Sequence, residues 1–270
     1  MRIKTDPNRP IGVFDSGLGG LTVVKELFRQ LPKESVVYFG DTARVPYGTK
    51  SPEAIIRFSQ ENVTILKQYQ VKMIVIACNT SSSFALPALR QQFDLPVVGV
   101  IGPGAKKAVQ VTRNGRIGVI ATAATINSGQ YAKTIKKLQP SIKVFGQKCP
   151  LFVPLIEEGW TGKEVSRQIA QEYLRPFKKA RIDTLILGCT HYPLLKPVLR
   201  QVMGEGVMLV DSAQSVVEEV KELLQNTNCA RQSQSPPARR FLVSDEPRHF
   251  HRLAKRFLGF PMKNVKRCYV

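Results

Sequence analysis

Two cysteines occupy matching positions in this chain of 270 residues. Cys78 lies in MIVIACNTSS (73–82) and Cys189 in TLILGCTHYP (184–193). In each, an apolar run with strand character passes a small residue, reaches a thiol and then turns polar, at Asn79-Thr80 and at Thr190-His191. An ordinary thiol is mostly protonated at neutral pH. Surroundings that favour the anion make it a base, and other surroundings leave it an acid. A thiolate and a thiol on opposite faces of one carbon can remove a proton from one side and deliver one to the other. That inverts a stereocentre and exchanges the two protonation states, so such a site runs in both directions.

Other residues suit the same chemistry. Asp15 ends the run IGVFDS (11–16) and is placed to assist Cys78, while Glu157 and His191 are placed to assist Cys189. A carboxylate beside a thiol acts by proton exchange and orientation, because its own charge opposes thiolate formation. Histidine can serve as acid or base near neutrality, with a hydrogen-bonded structural role as the alternative. For Glu157, in PLIEEG, the competing reading is a solvated acid opening a helix. Ser16, Asn79, Thr80, Thr190 and backbone amides preceding helices are neutral donors suited to a small anionic ligand. Tyr47, Gly48 and Thr122 fall on the same rim. The Gly-rich DSGLGG (15–20) is no dinucleotide fingerprint, since its third glycine would fall on Thr22, and reads better as a tight turn. Neither cysteine belongs to a C-x-x-C pair and Cys189-x-His191 is not a zinc spacing, so no metal is expected.

Apolar runs alternating with amphipathic stretches predict β-α-β units and a parallel sheet. The chain also repeats itself. IGVIAT (117–122) matches IGVFDS, and SIKVFGQ (141–147) matches SVVYFGD (35–41), both at an offset of 106 residues. VPLI (153–156) follows VPYG (45–48) at 108, and ILGCTH follows VIACNT at 111. The common order predicts a duplication: two similar, pseudo-symmetric α/β lobes with mainly parallel sheets, each with a cysteine after its third strand. Ligands of open parallel sheets bind beyond the carboxyl ends of the strands. The active site is therefore expected in the cleft between the lobes, one built from 1–99 with 211–270 and the other from 100–210. SPEAIIRF (51–58) opens a helix, NTNCARQSQSPPARR (226–240) reads as a mobile loop, and the stretch from Ser244 reads as a helix with Ser244 as its cap.

Hydrophobic content of 43% and charged content of 22% describe a globular chain long enough for a large core. Five scattered cysteines form no disulfide framework. No apolar run approaches the roughly 20 residues that cross a bilayer, and MRIKTDPNRP has no secretion signal. A cytoplasmic location and no membrane partner are expected. The net charge of +20 is unusual, and residues 231–270 alone hold ten Lys/Arg against two Asp/Glu. A solvated basic surface and a nucleic-acid partner are both open readings, although no nucleic-acid recognition motif accompanies the charge.

GVFDSGLGGLTV, YFGDTARVPYG, ACNTSS, CPLFVPLIEEGW and LGCTHYPLL together resemble the glutamate racemases of the cofactor-independent amino-acid racemase superfamily, from about residue 10 to 225 and more loosely beyond. The resemblance implies interconversion of L- and D-glutamate for peptidoglycan without cofactor or metal, in a homodimer. It implies that Cys78 acts on the D enantiomer and Cys189 on the L, assisted by Asp15, Glu157 and His191. Asp15, Ser16, Tyr47, Gly48, Asn79, Thr80, Thr190 and His191 match substrate-holding positions, joined by Thr122 and Thr125. An aspartate racemase is the near alternative. Some relatives are reported to inhibit DNA gyrase, which keeps a nucleic-acid or gyrase interaction in view. The chain departs from the family pattern at Ala121-Thr122, where Gly-Thr is usual, and in its high charge.

Overall fold

A computed structural model describes residues 6–262 and 265–269. Its strands are β1 (Ile11–Asp15), β2 (Val36–Gly40), β3 (Met73–Ile76), β4 (Val97–Gly99), β5 (Arg116–Ala121), β6 (Lys143–Lys148), β7 (Thr184–Gly188), β8 (Met208–Asp211), β9 (Arg239–Val243) and β10 (Val265–Arg267). They form two sheets, ordered β10-β9-β2-β1-β3-β4 and β6-β5-β7-β8, and every pairing is parallel. Between them lie α1 (Leu21–Gln30), α2 (Pro52–Lys67), α3 (Asn79–Phe84), α4 (Leu86–Gln92), α5 (Ile101–Val111), α6 (Ala123–Ser128) and α7 (Gln130–Leu138). These are followed by α8 (Phe152–Glu157), α9 (Glu164–Ala180), α10 (Lys196–Met203), α11 (Ser212–Asn226) and α12 (Pro247–Leu258).

The duplication read from sequence is visible in the strand order. The run β2-β1-β3-β4 of the first sheet repeats as β6-β5-β7-β8 in the second, and β9 and β10 extend the first sheet beyond β2. Cys78 follows β3 and Cys189 follows β7, the equivalent strands. The match of VPYG to VPLI is looser, because the first is a 3-10 turn at Tyr47–Thr49 and the second lies in α8.

Helices on a parallel sheet bury both its faces, so inner strands read as continuous apolar runs rather than alternating ones. Every residue of β1, β3 and β7 is accordingly buried. One apolar cluster runs through both halves, joining Val13, Tyr38 and Val75 of the first sheet to Leu185, Leu187 and Phe152 of the second half through α1, α11 and α12. Local signals set several boundaries. Ser51 caps α2 by accepting from Ala54 N at 3.3 Å, with Pro52 at the first helical position. Gly259, at φ +85°, ends α12 in the left-handed conformation that glycine adopts without steric cost.

Two expectations need correction. Ser244 does not cap α12: its hydroxyl donates to Asp41 Oδ1 at 2.9 Å and accepts from Ala43 N at 2.8 Å, and the helix starts at Pro247. The loop read as mobile is fastened, with Arg231 N donating to Glu34 Oε1 at 2.8 Å and Ala238 N to Ser35 Oγ at 3.0 Å. His249 and His251 are exposed, and His251 Nε2 lies 2.8 Å from the Met262 carbonyl. Among the described residues no helix is long and apolar enough to cross a membrane, and no disulfide joins any of the five cysteines.

Candidate active site

The carboxyl ends of β1, β3, β5 and β7 bring most of the candidate residues together. Cys78 is the cap of α3, accepting from Ser81 N at 3.5 Å, and Ser16 Oγ lies 3.7 Å from the same sulfur. These donors favour the thiolate. Burial outweighs them, the Asp15 charge adds to it, and together they push the Cys78 thiol up to about 11.

Asp15 is buried between the two thiol environments. Its Oδ2 accepts from Gly17 N at 2.9 Å and its Oδ1 from Thr190 Oγ1 at 3.4 Å, which ties the end of β1 to the segment after β7. Burial raises the Asp15 carboxyl above its ordinary range, against the opposing pull of the His191 charge and of its hydrogen bonds. Thr22 Oγ1 donates to the Thr190 carbonyl at 3.0 Å, a second tie between the halves. Gly19 makes both possible: a Cβ there would overlap Thr190 Oγ1 and the His191 ring. The reading of DSGLGG as a tight turn thus acquires a reason, since the turn carries backbone against the other half's site residues.

On the second side, Cys189 Sγ lies 3.9 Å from His191 Nδ1, and His191 Nε2 lies 2.9 Å from Glu157 Oε1. Burial alone would lower the imidazole pKa, but the contacts to Cys189 and Glu157 win and raise it to about 10. The raised pKa favours the imidazolium form, in which both ring N–H groups have partners, Glu157 on one side and the Cys189 sulfur on the other. Glu157 closes α8 instead of opening a helix.

The remaining candidates form a polar rim. Thr80 Oγ1 lies 3.0 Å from Thr122 Oγ1 and 3.2 Å from Thr125 Oγ1, joining α3 to α6, and Thr122 caps α6 by accepting from Thr125 N at 3.3 Å. Gly48 packs against Thr122, and a Cβ on it would come within 2.8 Å of the threonine Cβ. Tyr47 is buried with its hydroxyl on Asp41 Oδ2, and Asn62 Nδ2 donates to that hydroxyl at 3.2 Å. It belongs to the wall beside Cys78 and Ile55.

Some residues of this arrangement carry no signal in the sequence. Tyr131 OH donates to Asn79 Oδ1 at 2.7 Å, and Asn79 Nδ2 lies 3.5 Å from Ser212 Oγ. Asp41 holds Tyr47, and Arg44 Nε donates to Asp41 at 2.6 Å. Asp41 and Arg44, both in the quoted YFGDTARVPYG, sit in a motif that could have pointed to them. Cys78 and Cys189 are 5% and 7% exposed, and Asp15 is inaccessible, so this chemistry sits in an enclosed, water-poor setting. Among the described residues no cluster of His, Cys, Asp and Glu could hold a metal ion.

The family profile for Asp/Glu/Hydantoin racemase matches residues 11–220. A glutamate racemase of Geobacter metallireducens is 51% identical over 96% of each chain. A crystal structure of a glutamate racemase isoform from Bacillus anthracis superposes with a TM-score of 0.93 at 40% identity, covering 97% of this chain and 98% of that one. The Francisella tularensis glutamate racemase, solved in complex with D-glutamate, gives a TM-score of 0.91 at 41% identity, with coverage of 97% and 98%.

Proposed function

Because the chain belongs to the Asp/Glu/Hydantoin racemase family, we propose that it is a glutamate racemase working through two opposed cysteines. The observation that carries this reading is the placement of Cys78 and Cys189 after equivalent strands of two sheets with the same strand order, each with its own polar partners. With D-glutamate, the Cys78 thiolate, the minor form of this buried thiol, takes the α-proton while the Cys189 thiol gives its proton to the opposite face of the same carbon. With L-glutamate the roles reverse. Asp15 returns Cys78 to its starting state, and the His191–Glu157 pair does so for Cys189.

The α-carbanion needs stabilisation without an electron sink. Preorganised donors in an enclosed site supply it: Ser16, Asn79, Thr80, Thr190 and the amides around Gly48 would hold the substrate carboxylates, with Thr122 and Thr125 locking Thr80 in place. Glutamate rather than aspartate is the substrate, in keeping with what the close relatives act on. The product supplies peptidoglycan synthesis in the cytoplasm, and the protein works as a homodimer.

Incubation with either glutamate enantiomer in deuterated water tests the reading. Loss of optical rotation with α-deuterium incorporation is expected, abolished in Cys78→Ala and in Cys189→Ala. Faster turnover of aspartate would transfer the protein to the neighbouring specificity. Sedimentation at micromolar concentration tests the dimer.

A second activity, nucleic-acid binding, is favoured by one further observation. Residues 95–156 contain nine Lys/Arg and no Asp or Glu, and among the described residues none of the nine forms a salt bridge. A steep fall of DNA affinity with salt, unaltered in the cysteine variants, is the expected signature. No binding at physiological salt would remove it.

A further inference from the structure

The helix α12 belongs to the sequence that follows β9 of the first sheet, and Phe250 at its beginning packs on Tyr38 of β2 with ring centroids 6.1 Å apart. Its other end reaches the second half. The buried Phe257 ring stands at 87° to the His191 imidazole with centroids 5.2 Å apart, and Arg256 Nη1 donates to the Glu157 carbonyl at 2.5 Å. Consecutive residues of one helix thus touch both members of the His191–Glu157 pair.

Each contact meets a local need. The last carbonyls of a helix have no partner within it, and a cation there is favourable. The Glu157 carbonyl, at the end of α8, receives the Arg256 guanidinium. Gly159, at φ +76°, leaves room for it, since a Cβ there would approach Arg256 Cζ to 2.9 Å. The Glu157 side chain is 40% exposed, and His191 is its one partner among the described residues. Its carboxylate is therefore aimed by its backbone, and Arg256 holds that backbone. An edge-to-face aromatic contact has a preferred geometry, which constrains the plane of the ring. With the plane fixed, Nε2 points at Glu157 and Nδ1 at the Cys189 sulfur.

We infer that Arg256 and Phe257 are positioning residues for proton delivery at Cys189, setting the line from Glu157 through His191 to the sulfur. The inference rests on the two-cysteine reading above. Neither residue touches the reacting carbon.

The test follows D-glutamate in deuterated water and compares α-deuterium exchange with retention against inversion. In the wild type, a carbanion formed by Cys78 is captured from the Cys189 face. In Arg256→Ala and Phe257→Leu that capture is misaligned, and more carbanion returns to the Cys78 face. The ratio of retention exchange to inversion should rise roughly tenfold, kcat should fall by a similar factor and KM should change little, as sub-ångström misplacement of a proton donor implies. Arg256→Lys, which keeps a donor for the carbonyl, should recover most of the wild-type ratio. An unchanged ratio in both variants, with any loss of activity tracking a lowered Tm, overturns the inference while leaving the racemase reading intact. If the wild type does not racemise glutamate, the functional reading fails. The imidazole nitrogen resonances of His191 then decide the positioning role alone: they should move in both variants, and unmoved resonances refute it.

Discussion

Tyr131 and Asn79 meet across the two halves of the protein, the phenol donating to the amide oxygen at 2.7 Å. With Tyr131 on Oδ1, the Asn79 amide is held in one orientation and its NH2 is fixed for a ligand. Tyr131→Phe frees the amide to rotate. We expect kcat/KM for glutamate to drop about tenfold, whereas stability should fall by about 1 kcal/mol, the usual net worth of one hydrogen bond. Steady-state kinetics beside urea denaturation separates the two. Equal activity of the variant would mean that Asn79 does not orient substrate.

Gly19→Ala is expected to be far more damaging than its conservative chemistry suggests. Gly19 does not adopt a positive φ, so the backbone tolerates alanine, but the added methyl collides with Thr190 Oγ1 and the His191 ring. Pushing this turn off Thr190 displaces Asp15 and His191 together, and a shift near 1 Å can cost on the order of a hundredfold in rate. The check is the rate of racemisation from both enantiomers, with the far-ultraviolet spectrum unchanged.

Stability should decline from neutral to alkaline pH. His191 has a folded pKa raised to about 10 from the ordinary 6.5. Its contribution is complete below about 6.5 and is lost as pH rises through about 10. Cys78, raised from 9.0 to about 11, acts in the same direction over that higher window. Thermal denaturation between pH 6 and 10 should show a falling Tm, with His191→Gln markedly flatter across the lower part of the range. Parallel curves for the two proteins would contradict the assignment of a buried imidazolium.

Lys72, fully buried, places Nζ 2.7 Å from Glu34 Oε2 and donates also to the carbonyls of Pro7 at 2.7 Å and Cys229 at 2.8 Å. One ammonium therefore fastens the start of the chain, the entry to β3 and the loop after α11. Removing one partner of a buried pair strands the other charge, at a cost of about 3–5 kcal/mol. Lys72→Met should show that loss in chemical denaturation, and adding Glu34→Gln should recover part of it.

The sequence carries the architecture clearly because buried strands announce themselves as apolar runs, and because a repeat at offsets of 106 to 111 residues is hard to produce by chance. The thiols and His191 are legible for a related reason: polar chemistry directly after such a run lies on the rim of the sheet. Glu157 is only half legible, since its helix and its histidine partner are 34 residues apart in sequence. Tyr131 is not legible at all, because it reaches Asn79 across 52 residues from the first turn of an ordinary amphipathic helix. Ser244 misleads for the same reason. Its local pattern fits a helix cap, but Asp41, 203 residues earlier, takes the hydroxyl.

The near-complete burial of Cys78 and Cys189 also bears on survival under oxidative attack. Peroxide and alkylating reagents react with thiolates they can reach. Inactivation should be paced by how often the halves part, so damage becomes a clock for breathing of the cleft. A ligand that holds the halves together shields the sulfurs in proportion to its occupancy.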